Sequence, residues 1–433
     1  MAFWALALLF LVFVSKLSLT WMGIPSQVSV IIFQHGLHPY MNVILSFLLG
    51  LPLVFYTLHH HDRLNKLGKV YRTLVIVLLL TLFLETLLQF IFMDNHKGLY
   101  GWAALASTYW IIVLFGVFLP AMLDPKKAVR FLSFWSVIFV ILSLGLLAVR
   151  PDLTFKGGRF IGIFKHIPYM VTCATVGTVF PLACLQQTKR PWVRALWIVG
   201  ILLSVVALIL TGTRSALAAV MMAWVLWLLR VPTKHAGFRF FKFSAALIMT
   251  VTLVLFGAQM AEYASDIATG KKGLVDREAQ DGVASRMEEV ERGWEYFETS
   301  PWIGQGLLSK FSGKDDLNVE SYNSFKDPHN IFASAGVVGG WPFIVWTGIF
   351  LLLLVVMAVK VLMSENSVLH IFGIYAMVQI PILIIYHWHL SLGGMADRFY
   401  WLVFGYLALH IHQTKRPQPQ PEAFTKQAEA TTH

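Results

Sequence analysis

Apolar runs of about twenty residues follow one another along nearly the whole chain, each long enough to cross a hydrocarbon core of roughly 30 Å. They centre in 2–22, 39–58, 73–93, 102–123, 131–149, 168–186, 195–212, 215–230, 244–263, 331–359, 368–386 and 399–412. The pattern predicts an all-α polytopic membrane protein with about twelve transmembrane helices. The first run has no basic start and no clear small-residue cleavage site, so it reads as a retained span rather than a signal peptide. Residues 1–412 read as one integral membrane domain. Residues 264–330 form a long polar loop within it, and 413–433, rich in Pro, Gln and Thr, reads as a disordered tail. Inside the loop, Met287, Val290, Trp294 and Phe297 recur at helical spacing. They predict an amphipathic helix over 283–298 whose apolar face suits a membrane surface. Ser285 would cap it, with Glu288 three residues on.

Composition supports the membrane reading: 57% of the 433 residues are hydrophobic and 13% charged, where a soluble protein has roughly 25% charged. The net charge of +11 does not imply a nucleic-acid partner. The basic residues sit in short connections, at Arg63/Lys66/Lys69/Arg72, Lys126/Lys127/Arg130, Lys189/Arg190/Arg194 and Arg230/Lys234/Arg239/Lys242, and again at Lys415/Arg416. All fall on one side of the predicted bundle, which the positive-inside rule makes cytoplasmic, together with both termini. Cys173 and Cys184 share one span, eleven positions apart, too far along a helix to bond to each other. The chain has no internal repeat, phosphate-binding loop, dinucleotide fingerprint or zinc motif.

Against that background, basic groups on the opposite face stand out. Arg159, Lys165, Arg214 and Arg398 lie in short outer connections, where the positive-inside rule does not place them. Arg214, in Thr211-Gly212-Thr213-Arg214-Ser215, is squeezed between two apolar runs, a costly position unless the charge is paired or used. Arg286 falls in the first turn of the loop helix, a good place to bind an anion with free backbone N–H groups. His329, in Asp327-Pro328-His329-Asn330, stands where the long loop meets a new span. Imidazole is the side chain best suited to proton transfer near neutral pH. Asp327 would orient it or cap the following helix. Ser300-Pro301-Trp302-Ile303-Gly304-Gln305-Gly306 reads as a helix stop followed by a close backbone approach. His59-His60-His61 reads as a solvated cluster at a span end. His387-x-His389 faces Asp397 and Arg398, but a metal site there would need a third ligand. Glu85 is the main charge within a span and reads as a buried acid bonded to a neighbouring helix.

Taken in order, Gly157-Gly158-Arg159-Phe160-Ile161-Gly162, Thr213-Arg214-Ser215, Ser285-Arg286, Pro301-x-x-Gly304-x-Gly306 and Pro328-His329-Asn330 resemble the motif set of the bacterial O-antigen ligase/polymerase superfamily. The resemblance covers roughly 150–345; the other spans agree only in hydropathy. It implies a glycosyltransferase fold of the membrane C type with one long periplasmic loop, in the inner membrane of a Gram-negative bacterium, with its active site periplasmic. It implies transfer of O-antigen polysaccharide from undecaprenyl pyrophosphate to a hydroxyl of lipid A–core oligosaccharide, with inversion and without metal or other cofactor. By resemblance, Arg214 and Arg286, with Arg159, would hold the pyrophosphate, and His329 would be the base. Asn330, Gln305, Asp327, Lys165, Asp397 and Arg398 are candidate supporting groups.

A polymerase would use the same donor with a second lipid-linked unit as acceptor. One long loop favours the ligase over the polymerase, and a short basic tail argues against the protein-glycosylating relatives, which usually carry a further C-terminal periplasmic region. A lipid-linked oligosaccharide transporter would need basic groups along a central path, whereas here they gather at one face.

Overall fold

The computed structural model describes residues 2–18, 37–92, 105–106, 108–156, 158–230, 283–304, 330–364, 367–386 and 395–414. In chain order the helices are α1 (Ala2–Val14), α2 (Leu37–His59), α3 (Lys69–Phe92), α4 (Thr108–Met122), α5 (Pro125–Val149), α6 (Ile167–Gln187), α7 (Pro191–Leu210), α8 (Arg214–Arg230), α9 (Val283–Thr299), α10 (Ile331–Leu362), α11 (Ser367–Tyr386) and α12 (Met395–Thr414). Helices α3, α5, α6, α7 and α10 are long and apolar enough to cross a bilayer, and shorter apolar helices lie in α1, α2, α4, α8 and α11. The protein is an all-α polytopic membrane protein. The run centred in 244–263, most of the long loop and the tail lie outside the described residues.

Local chemistry sets the helix boundaries. The Asp124 carboxylate accepts hydrogen bonds from the Lys126 and Lys127 backbone N–H groups at 2.8 and 3.3 Å and starts α5, with Pro125 in the first turn. Asn330 does the same for α10, accepting from Phe332 N at 2.9 Å and Ala333 N at 3.1 Å. Helix α4 carries a π turn over Leu114–Phe118. Pro120 has no N–H to give the carbonyl of Gly116 four residues earlier. The Tyr71 hydroxyl supplies the donor instead, at 3.0 Å, and Gly405 of α12 packs directly on that carbonyl.

Helix α6 is the most enclosed of the long apolar helices. It is lined with Thr, Ala, Cys and Gly, and its neighbours present Ser133 and Ser136 on α5 and Gly200 and Ser204 on α7. Small residues let helix backbones approach where no hydrophobic gain separates helix from lipid. Both cysteines serve this packing: the Cys173 thiol donates to the Ser136 carbonyl at 3.6 Å and the Cys184 thiol to the Ser133 hydroxyl at 3.4 Å. Each is a free, buried thiol.

The helices define two ends. At the lower end Gly68 lies against His412, and the Tyr406 hydroxyl donates to the Leu123 carbonyl. The described basic residues of the short connections, from Arg63 to Arg72, Lys126 to Arg130, Lys189 to Arg194 and Arg230, all belong to this end. His60 is also here, half-buried, stacked on Tyr56 at 4.1 Å with Nδ1 2.9 Å from the Tyr56 carbonyl; His59 beside it is exposed. The upper end holds the starts of α6, α8, α10 and α12 and a short antiparallel hairpin, β1 (Phe155–Lys156) and β2 (Arg159–Phe160). The segment after α1 pairs with this region through a Leu17–Phe164 bridge, with Ser18 N on the Ile163 carbonyl at 2.7 Å. Helix α1 therefore ends at Val14, short of the 2–22 run, because the chain turns there to bond sideways to the 161–165 loop.

Candidate active site

Among the described residues, the upper end holds Arg159, Lys165, Arg214, Asn330, Asp397 and Arg398. Arg214 opens α8, directly after the Thr211–Thr213 turn. Arg286 lies in the first turn of α9, with Ser285 inside that helix rather than capping it. Nothing further is described of the Arg214 and Arg286 side chains. Arg159 is on β2, half-buried and engaged with a neighbour. Asn330 caps α10. Gln305, Asp327, His329, His387 and His389 lie outside the described residues. Among the described residues no group of three His, Cys, Asp or Glu side chains could hold a metal ion.

The element that follows His329 departs from the expected single span. Helix α10 breaks at Gly339 (φ −141, ψ 20) and Gly340 (φ 66, ψ −158), leaving a short leading segment, 331–338, before the main span. Gly340 is in the left-handed region that glycine enters without strain. Into this break docks the turn that follows α9. A Cβ on Gly304 would lie 2.4 Å from Gly339 N, and one on Gly340 would lie 2.5 Å from the Pro301 carbonyl oxygen, so both contacts exclude any side chain. The backbone groups freed by the break are answered: Trp341 N donates to the Pro301 carbonyl at 2.8 Å, and the Val338 carbonyl accepts from Gln89 Nε2 of α3 at 3.0 Å. The same Gln89 nitrogen donates to the Ile303 carbonyl at 2.6 Å. Broken helices are tolerated at membrane depth where such partners exist.

Helix α9 is thereby fixed to α10. Its apolar face does not simply lie on a membrane: Phe297 is buried against Gly336 and meets Trp341 edge-on at 5.3 Å. Arg292 pairs with Glu288 one turn back at 3.6 Å on the exposed face. The Pro301-x-x-Gly304 motif and the start of α10 thus form one packed unit, with Arg286 at one end of it in sequence and the position after His329 at the other. Glu85 lies one turn from Gln89 on α3; it is buried, and its Oε2 has no hydrogen-bond partner. Among the described residues no bond runs from that oxygen to a neighbouring helix.

A second group of charges is enclosed nearby. Asp397 and Arg398, in the first turn of α12, are each only 2% exposed, and Lys16 is 4% exposed. Lys16 Nζ lies 5.0 Å from the centre of the Tyr169 ring, and the Arg398 guanidinium 5.8 Å from that of Phe115. Lys165, half-buried, is held over Lys16 by its backbone N–H on the Lys16 carbonyl at 3.1 Å. Burial, the Arg398 charge and Lys165 lower the Lys16 pKa to about 7, against the opposing pull of Asp397; burial brings Lys165 down to about 8. The sequence pointed to Lys165, Asp397 and Arg398 but missed Lys16 and Gln89. Lys16 is a further basic residue at an outer helix end, hidden by counting 2–22 as one unbroken span. Gln89 is an amide donor in an apolar run, a signal in plain view.

No curated protein matches the chain. The family model described as O-antigen ligase matches residues 199–347, a stretch that contains Arg214, Arg286, the Pro301–Gly304 turn, His329 and the α10 break. That family is made of glycosyltransferase-like enzymes, ligases and polymerases alike, and over residues 199–347 this chain is similar to it.

Proposed function

We propose that the protein is an O-antigen ligase, an inverting, metal-independent glycosyltransferase that moves polysaccharide from undecaprenyl pyrophosphate to a hydroxyl of lipid A–core. The observation that carries this reading is the family match over 199–347, because that one stretch holds both arginines and the histidine that the reaction needs. The acceptor hydroxyl attacks the anomeric carbon of the donor sugar. A new carbon–oxygen bond forms as the bond to pyrophosphate breaks. The hydroxyl proton passes to His329, and undecaprenyl pyrophosphate departs with the bonding electron pair. A sugar hydroxyl is a weak nucleophile and gains from a positioned base. The leaving group gains from cations that meet its developing charge, which is the part of Arg214 and Arg286, with Arg159 beside them. Asn330, Gln305 and Asp327 flank this chemistry in sequence.

The lower end carries the basic connections, so the positive-inside rule puts it in the cytoplasm with both termini, and the upper end in the periplasm of a Gram-negative inner membrane. Purified protein given undecaprenyl-pyrophosphate glycan and lipid A–core, in EDTA, tests the proposal. Glycan on the core supports it. Longer lipid-linked chains formed only when a second lipid-linked unit is present would make the protein a polymerase, and a strict need for added divalent metal would overturn the mechanism.

A further inference from the structure

We propose that Lys16 and Arg398 form an enclosed phosphate-anion site at the upper end, which receives a phosphate of a substrate lipid. The inference rests on the transfer reading above for what that lipid is. The site draws on four parts of the chain: Lys16 after α1, Lys165 in the 161–165 loop, Tyr169 on α6, and Asp397 with Arg398 on α12. The Lys16 amine feels the charges of Arg398, Asp397 and Lys165. Arg398 Nε and Nη1 are buried without a hydrogen-bond partner among the described residues, and its guanidinium rests on the Phe115 ring instead. Buried N–H donors left unanswered are costly, and charged ones more so. Phosphate oxygens are the acceptors that a guanidinium fork fits best. Burial is graded: Tyr169 and Lys165 are half-buried while Lys16 and Arg398 are enclosed. The Leu17–Phe164 bridge and the Lys165 to Lys16 backbone bond hold the 161–165 loop in place.

An arriving dianion changes the balance at Lys16. Its amine is disfavoured as a cation by enclosure and by the Arg398 and Lys165 charges, and a phosphate beside it reverses the sign of the local field. Binding above neutral pH then takes up a proton at Lys16, with Lys165, Tyr169, Asp397 and Arg398 as the other groups that face it.

Calorimetric titration of the full-length protein in detergent at pH 8, in two buffers of different ionisation enthalpy, tests this. The probes are undecaprenyl pyrophosphate, phosphorylated lipid A–core and phosphatidylglycerol, each alone. One of them should bind with proton uptake, and which one does identifies the source of the phosphate. Lys16→Met should bind that lipid roughly ten-fold or more weaker and without uptake. Arg398→Lys keeps the charge but loses the fork; it should weaken binding and keep the uptake, and it serves if the first variant does not fold. Wild-type affinity and uptake in both variants would overturn the site, as would absence of binding by all three lipids. Sugar transfer is scored separately. Transfer intact with the site overturned leaves the ligase reading standing, and Lys16-dependent binding in a protein that transfers nothing leaves the site without it.

Discussion

His329 would take a proton while Arg214 and Arg286 neutralise a leaving group, so their losses should differ in kind. His329→Ala should lower kcat by about 10²- to 10⁴-fold, the usual contribution of a general base, with the donor Kd unchanged in the same preparation. Arg214→Lys and Arg286→Lys should weaken donor use and recover only part of what Ala loses, because an ammonium lacks the bidentate fork; steady-state kinetics with varied donor would read this. Lys16 makes a prediction about folding. In the unfolded chain its amine holds a proton up to the ordinary 10.5, and in the folded protein only to about 7. The unfolded state therefore binds the extra proton across that window, and the fold gains stability as pH rises through it. Thermal midpoints from pH 7 to 10 should climb less steeply in Lys16→Met than in the wild type. His329 stood out in the sequence because an imidazole at the end of a polar loop stands alone there, and it lies outside the described residues. Lys16 was not, because its enclosure depends on α6 and α12, more than a hundred residues away.

At the scale of elements, the docked turn and the broken α10 would set the position of the proposed site. Gly340→Ala puts a Cβ 2.5 Å from the Pro301 oxygen on a left-handed backbone, a strain of about 1–3 kcal/mol before any shift. It should lower the thermal midpoint and slow transfer together. Gln89→Leu removes both hydrogen bonds that tie α3 to Ile303 and Val338. Its cost should be about 1–3 kcal/mol, since the buried Val338 carbonyl and the part-buried Ile303 carbonyl lose their donor, and kcat should fall more than donor KM rises if the unit positions His329. A kcat and KM equal to wild type in that variant would remove Gln89 from the positioning of the site. The helices themselves were readable from hydropathy. The break was spelled out in Gly339-Gly340-Trp341-Pro342, but an apolar run reads as one span until a partner turn is known to fill the gap. The loop helix was placed within a residue, although its apolar face found Gly336 rather than lipid, because Phe297 needs a surface without side chains to lie on.

For the whole molecule, the two ends make opposite predictions about access from outside the cell membrane. Cys173 and Cys184 are buried, so a variant with both replaced by Ser gives a silent background. In it, Lys156→Cys on the exposed rim of the hairpin should react with an impermeant maleimide in intact cells, and Lys126→Cys should react only after permeabilisation. The reverse pattern would invert the topology and with it the periplasmic site. That the basic connections share one end was evident from sequence spacing. That α6 would be the enclosed helix was not, because its mixture of Thr, Cys, Gly and Ala is the least hydropathic of the long apolar helices and gains its place by close packing.

The π turn of α4 means that this helix holds one residue more than its path requires. A deletion elsewhere in a span rotates everything beyond it by about 100° and turns its faces the wrong way. Removal of Val117 should instead let the helix relax to ordinary winding with Thr108–Val113 and Leu119–Met122 still facing their present neighbours. Natural variation in the length of the chain has a permitted place here, inside a membrane helix rather than in a loop.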